Sequence, residues 1–132
     1  MNENEIGTLI IETAIDLHKE LGPGLYENVY ETIMEKRLYW KGLSVQRQVK
    51  IPIEFEDNCF VDGFRADLII NGKVIIELKS TTKIMDIHKK KLLTYLKLTK
   101  LKLGYILNFG EVKLKDGIIR VVNKLAESAE NR

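Results

Sequence analysis

The sequence predicts an α/β (α+β) domain in which a central β-sheet is flanked by helices. Three observations carry this. Apolar residues recur at helical spacing in three stretches, and short apolar or alternating runs lie between glycine-, proline- and aspartate-containing turns. The order is helix, helix, three strands, helix, strand, hairpin. A chain of 132 residues with 45% hydrophobic residues builds one core rather than two. Residues 1–123 read as one domain and 124–132 as a polar tail that can extend as a frayed helix.

The first helix spans about Glu3 to Leu21, with Ile6, Leu9, Ile10, Ala14, Leu17 and Leu21 on one stripe. Gly22-Pro23-Gly24 stops it, because proline cannot continue the ladder and glycine accepts unusual backbone angles. A second helix runs from about Tyr26 to Lys41 and is closed by Gly42. Val45 to Phe55 alternates into a strand, and Pro52 marks it as an edge strand or the site of a bulge. Asp57-Asn58 signals a turn, followed by strands over Phe60–Ile70 and Lys73–Lys79. Asp86 is the expected N-cap of a third helix reaching about Thr99. Leu103–Phe109 reads as a buried strand, and Val112–Leu114 with Ile118–Val122 flanks Lys115-Asp116-Gly117 as a hairpin.

The segment Arg65 to Lys79 places Asp67, Glu77 and Lys79 on two apolar strands, where charge is costly unless compensated. A two-residue loop at Asn71-Gly72 would put Asp67 and Glu77 on different faces. A three-residue loop, Asn71-Gly72-Lys73, pairs Ile70 with Val74, Leu68 with Ile76 and Ala66 with Leu78, leaving one face wholly apolar. Burial selects this second register. It sets Asp67 across from Glu77, about 5 Å apart at the side-chain bases, with Lys79 on the same face. Two such carboxylates suit one hard cation, Mg²⁺ (or Mn²⁺ as a substitute), which takes oxygen ligands and keeps several waters. Lys79 beside the ion can act on a water or on a phosphate. The competing account is an exposed salt-bridged ladder of the three side chains, which contributes little.

The pattern Asp67…Glu77-Leu78-Lys79 resembles the PD-(D/E)xK nuclease superfamily, and Gly24-Leu25-Tyr26-Glu27-Asn28-Val29-Tyr30 resembles the signature of the GxxExxY protein family within it. The likeness continues through Gln46-Arg47-Gln48-Val49, Gly63-Phe64-Arg65-Ala66-Asp67-Leu68, Leu92-Leu93-Thr94-Tyr95-Leu96, Leu103-Gly104, Asn108-Phe109 and Lys115-Asp116-Gly117-Ile118. It covers about Ile6 to Val122. The resemblance implies a restriction-endonuclease-like core with a mixed sheet and a Mg²⁺-dependent nuclease that hydrolyses DNA phosphodiester bonds with a metal-activated water. It implies Asp67, Glu77 and Glu27 as metal ligands and Lys79 as the catalytic lysine. Glu27 has a competing role as a glutamate favoured by the helix macrodipole. Tyr30 shares its helix face and reads as core packing.

Four further residues are candidate substrate contacts: Gln48, His88, Lys91 and Tyr95. Gln48 can reach the site from the first strand or bond to backbone nearby. His88, Lys91 and Tyr95 form one helical stripe, and His88 reads first as a polar residue at a helix start. Relatives with RecB-like motifs carry Gln-x-x-x-Tyr after the lysine strand, whereas this chain has Lys91…Tyr95. A lysine accepts no hydrogen bond, so any orienting role must change. Lys91 can instead contact a phosphate, and it favours the alternative function, a binding module with little turnover that docks nucleic acid or protein.

Composition adds exclusions. A net charge of +2 says little, but Lys83, Lys89, Lys90, Lys91, Lys97, Lys100 and Lys102 gather in one stretch opposed by Asp86, a candidate nucleic-acid backbone face. Its competing account is a solvated helix surface, the expected one for Lys89, Lys90, Lys97 and Lys100. No interleaved aromatics support base reading. Cys59 is the single cysteine, so no intramolecular disulfide or Cys-rich zinc site forms. His18 and His88 have no zinc-ligand spacing. No apolar run approaches the roughly 18 residues that span a bilayer, and the acidic Met1–Glu5 lacks the basic region of a signal peptide. The expected location is cytoplasmic and the expected partner is DNA, with no membrane. A second copy of the chain could pair at an edge strand near Pro52.

Overall fold

The structure, a computed structural model, describes residues 1–126. In chain order it has α1 (Glu3–Leu21), α2 (Glu27–Trp40), β1 (Val45–Phe55), β2 (Asn58–Ile70), β3 (Val74–Lys79), α3 (Asp86–Thr99), β4 (Leu103–Asn108), a 3₁₀ turn (Leu114–Gly117) and β5 (Ile118–Val122). α1 starts with a reciprocal cap. The Asn2 side chain accepts from the Glu5 N–H at 2.8 Å, and the Glu5 carboxylate accepts from the Asn2 N–H at 2.9 Å.

The strands form one mixed sheet in the order β1-β2-β3-β4-β5. β3 and β4 are parallel and all other neighbours are antiparallel. A parallel neighbour needs a crossover, and α3 supplies it. α1 and α2 cover one sheet face, where Ile6, Ile10, Leu17, Met34 and Leu38 share a cluster with Leu68, Ile70, Ile76, Leu78 and Leu107. α3 covers the other face, where Leu92 and Leu96 meet Ala66, Ile69, Ile75 and Ile106. Full burial of each such aliphatic side chain stabilises by about 1.5–3 kcal/mol. Every residue of β4 is buried, as a central strand covered on both faces requires.

The three-residue loop forms as expected. Ile70 pairs with Val74 and Leu68 with Ile76, and Asn71 and Gly72 both take positive φ. Pro52 lies at the register shift between Ile51 and Ile53, on edge strand β1.

Four expectations fail. Ala66 does not pair with Leu78; the β2–β3 ladder ends at Leu68 and Ile76, and Ala66 packs on the α3 face instead. The first β-turn is Glu56-Asp57, both at positive φ, so β2 begins at Asn58. Asp86 is the first helical residue rather than the N-cap, which is Met85; the His88 imidazole accepts the Met85 N–H at 3.0 Å and does the capping. Val112–Leu114 is no strand. Leu114 is buried in the α1–α2 cluster, and His18 Nε2 donates to the Glu111 carbonyl at 2.8 Å. Those contacts hold the segment against α1, so β5 pairs with β4 alone. Of the expected C-terminal tail, Leu125 packs against the α1–α2 cluster, and residues 127–132 lie outside the described residues.

Candidate active site

The site forms where two strands turn over. Arg47 reaches α2 through Glu31, yet Val49 and Ile51, of the same parity, pack under α3. The switch occurs at Gln48, whose φ is 52°. β2 switches faces beside it, since Leu68 lies in the α1–α2 cluster and Ala66 in the α3 cluster. Asp67 sits at that turnover. Its Oδ2 accepts the Leu78 N–H of β3 at 2.8 Å, and its Oδ1 accepts from Gln48 Nε2 at 3.3 Å. The side chain thus takes over the hydrogen bond that the ended ladder would have made.

Glu77 and Asp67 converge on the α3 side of the sheet. Burial, followed by the charge of Asp67 and a hydrogen bond to it, pushes the Glu77 carboxyl up to about 9. Glu77 Oε1 is buried without a hydrogen-bond partner. A buried polar atom without a partner is costly and calls for an explanation. A cation shared with Asp67 answers it, since Mg²⁺ is commonly held by one or two carboxylates with waters filling the rest. The donor set therefore fits a hard divalent ion.

Lys79 follows on the same face and is half-buried. It has no ion pair among the described residues. Glu77 and Lys79 line a pocket of about 160 Å³ with His88, Lys91 and Tyr95 of α3 and the apolar Leu92 and Ile106. The Tyr95 ring stacks on Phe64 at 3.9 Å. Its hydroxyl is pushed above the usual tyrosine range by burial and then by the charges of Glu77 and Asp67. His88 spends Nδ1 on its cap bond. A larger hollow of about 600 Å³, between α1 and Val112–Lys115, contains none of the expected site residues.

Glu27 is exposed in the first turn of α2, with no described hydrogen bond or ion pair to Asp67 or Glu77. Among the described residues no three His, Cys, Asp or Glu side chains cluster closely enough to hold a metal. The loop before α2 does approach the end of β3, because Ser80 Oγ donates to the Leu25 carbonyl. Tyr30 is core. Its hydroxyl donates to the Gly22 carbonyl, and its ring stacks on Phe109 at 4.2 Å.

Two residues escaped the sequence reading. Glu31, one helical turn beyond Glu27, is buried and accepts from Gln48 Nε2 at 2.6 Å and from Arg47 Nε at 2.7 Å. That pairing holds the Arg47 guanidinium above its ordinary range. The signal was present: Glu31, Met34 and Leu38 share one stripe, so a glutamate stands at an apolar position. Asn108 is fully buried at the end of β4. Its Oδ1 accepts from Thr81 N–H at 3.1 Å and Gly110 N–H at 3.0 Å, and its Nδ2 donates to the Thr81 carbonyl at 3.0 Å. This staple fixes the segment that leaves Lys79. Gly110 belongs to it, since a Cβ there would lie 2.1 Å from the Thr81 carbonyl oxygen.

A family model described as the PD-(D/E)XK nuclease superfamily matches residues 4–121. No curated protein matches the chain.

Proposed function

The chain belongs to the PD-(D/E)XK nuclease superfamily, and from that premise we propose that it is a Mg²⁺-dependent nuclease hydrolysing DNA phosphodiester bonds. The mixed sheet flanked by three helices is a restriction-endonuclease-like fold, and members of the superfamily generally use divalent metals. The Gly24…Glu27…Tyr30 pattern supports placement with the GxxExxY proteins.

One observation carries the reading. The Glu77 carboxyl, at about 9 with a buried and unpartnered Oε1, sits against Asp67, so the pair ionises together only with a cation between them. Asp67 and Glu77 would hold the ion, with Glu27, at the start of α2 just after the loop that Ser80 holds through Leu25, as the third candidate. When bound, the ion supplies Lewis-acid polarisation of the phosphoryl group and activation of the attacking water.

The chain's own residues do the rest. The Leu78 N–H and Gln48 fix the Asp67 carboxylate in one orientation. The Lys79 ammonium stands beside Glu77, where it can orient a water or balance charge on the phosphate. His88 and Lys91 offer the pocket to a phosphate, and Tyr95 closes its wall. The test is incubation with single-stranded, duplex and branched DNA in Mn²⁺. Cleavage by the wild type, lost by about 10²-fold or more in Lys79→Ala with its melting temperature intact, is the expected result. Binding without cleavage on any substrate supports the second reading, a binding module, which Lys91 in place of glutamine favours.

A second copy of the chain is the candidate protein partner. β1 is an edge strand, and Phe55, Phe60 and Val61 at the end of the β1–β2 arm are exposed. Sedimentation across a concentration series tests this. Among the described residues no helix is long and apolar enough to cross a membrane.

A further inference from the structure

At the far end of α3 from the carboxylates, Lys97, Lys100, Lys102 and Lys124 surround a hollow of about 480 Å³, with Asn123 as the fifth lining residue. None of the four lysines has an ion pair among the described residues. We infer that this four-lysine hollow is a second phosphate-binding site, which holds the backbone of a nucleic acid running along α3 from the candidate active site.

The lysines come from three separate parts of the chain and are set in place by hydrogen bonds. The Asn123 N–H donates to the Lys102 carbonyl at 2.9 Å, and Asn123 Nδ2 donates to the Leu101 carbonyl at 3.0 Å. These bonds join the turn after β5 to the α3–β4 connection, so Lys124 meets the other three.

The backbone adds an independent observation. Lys100 and Lys124 both occupy the left-handed region, with φ of 61° and 56°. Glycine or asparagine fills such positions at lower cost, above all just past a helix end. At Lys100 the left-handed residue closes α3, with the Leu101 N–H donating to the Leu96 carbonyl at 3.1 Å, whereas at Lys124 no helix end calls for it. The α3 macrodipole would account for lysines at its C-terminal end. It accounts for neither Lys102 and Lys124 nor the left-handed conformation of Lys124.

The helix surface connects the hollow to the pocket. His88, Lys91, Thr94, Lys97 and Lys100 recur at every third residue, so they form one diagonal ridge. The ridge starts in the pocket that Lys79 and Glu77 line and ends in the hollow. Twelve residues of helix rise about 18 Å, which matches about five steps of B-form duplex. From Lys91 to Lys100 the rise is about 13.5 Å, so a backbone entering at Lys91 reaches the hollow about four nucleotides from the scissile bond. This continuity selects nucleic acid as the polyanion, and in that respect the inference rests on the nuclease reading.

The test compares the wild type with the fourfold variant Lys97→Gln, Lys100→Gly, Lys102→Gln, Lys124→Gly. Glycine at the two positive-φ positions keeps the backbone and relieves its strain, so the melting temperature is expected to hold or rise. Binding of a labelled duplex is measured from 50 to 300 mM salt. The wild-type slope of log affinity against log salt is expected to steepen as the duplex lengthens past about six base pairs. In the variant the slope is expected to flatten by about three to four, with about tenfold or greater loss of affinity at low salt.

A variant that keeps the wild-type slope and affinity overturns the hollow and leaves the nuclease reading standing. A variant that loses binding to phosphatidylserine vesicles while keeping its DNA binding also overturns it. Loss of DNA binding in the variant, with no metal-dependent cleavage by the wild type, upholds the hollow and overturns the nuclease reading.

Discussion

A carboxyl group held at about 9 keeps its proton at neutral pH, and Glu77 does so because burial and the neighbouring Asp67 both penalise its charge. The sign of the pH dependence follows. Between 4.5, the ordinary glutamate value, and about 9, the unfolded chain has released this proton and the folded chain has not. Folding then binds a proton, so without metal the Glu77 contribution to stability falls as pH rises across that window. Glu77→Gln should remove this slope and stabilise the metal-free protein at pH 8, as urea midpoints at pH 5, 7 and 9 will show. Saturating Mn²⁺ should raise the wild-type melting temperature by several degrees at pH 8 and leave Glu77→Gln unmoved. Calorimetry in buffers of different ionisation enthalpy should detect about one proton released per ion bound at pH 7. Glu31 sets a second test. Glu31→Ala strands Arg47 and Gln48 and should destabilise by about 2 kcal/mol, a value discounted because Arg47 is partly exposed. The same variant should weaken Mn²⁺ binding through the loss of a fixed Asp67.

Each element serves the site by ending or turning in a particular place. β1 and β2 switch faces together at Gln48 and Asp67, so a charged side chain emerges between two apolar runs without entering either core cluster. β3 turns Glu77 and Lys79 to the α3 face, while the alternating Ile76 and Leu78 stay in the α1–α2 core. α3 crosses over from β3 to β4 and brings His88, Lys91 and Tyr95 to the pocket in the same step. The end of β4 holds the segment after Lys79 through Asn108. Gly110→Ala drives a Cβ into the backbone of Thr81, which has no flexible end to give way. It should cost about 2–3 kcal/mol and displace the Lys79 segment, so activity should fall by more than the stability loss explains. Thermal melts and single-turnover cleavage of the folded fraction measure the two effects.

At the scale of the whole molecule, burial is concentrated at the centre of the sheet and falls away along one arm. The centre, β3 and β4, is buried on both faces, whereas the β1–β2 arm ends in exposed Phe55, Phe60 and Val61. Native-state hydrogen exchange should therefore be slowest in Val74–Leu78 and Leu103–Leu107 and fastest near Glu56-Asp57. A rigid centre keeps the two carboxylates at fixed separation, as a preorganised site requires. The formal charge of +2 conceals a segregated surface, since Lys83 through Lys102 is opposed in sequence by Asp86 alone.

The sequence alone determined what depends on neighbours along the chain. Helical spacing marked α1 to its observed ends, and burial of one strand face selected the Ile70–Val74 register over its one-residue slip. By parity that choice put Asp67, Glu77 and Lys79 on one face, although the ladder expected to carry Asp67 opposite Glu77 ends at Leu68 and Ile76. Tertiary structure decided the rest. The turnover at Gln48 depends on two strands twisting together between helices on opposite faces, and no spacing rule along β1 encodes it. Glu31 entered the site because Arg47 and Gln48 lie across from it. Val112–Leu114 lost its hairpin because Leu114 gains more by burial against α1 than a short ladder would supply. Local periodicity fixes which way a side chain points. The free energy of burial and of pairing charges fixes what it meets, and both depend on residues distant in the chain.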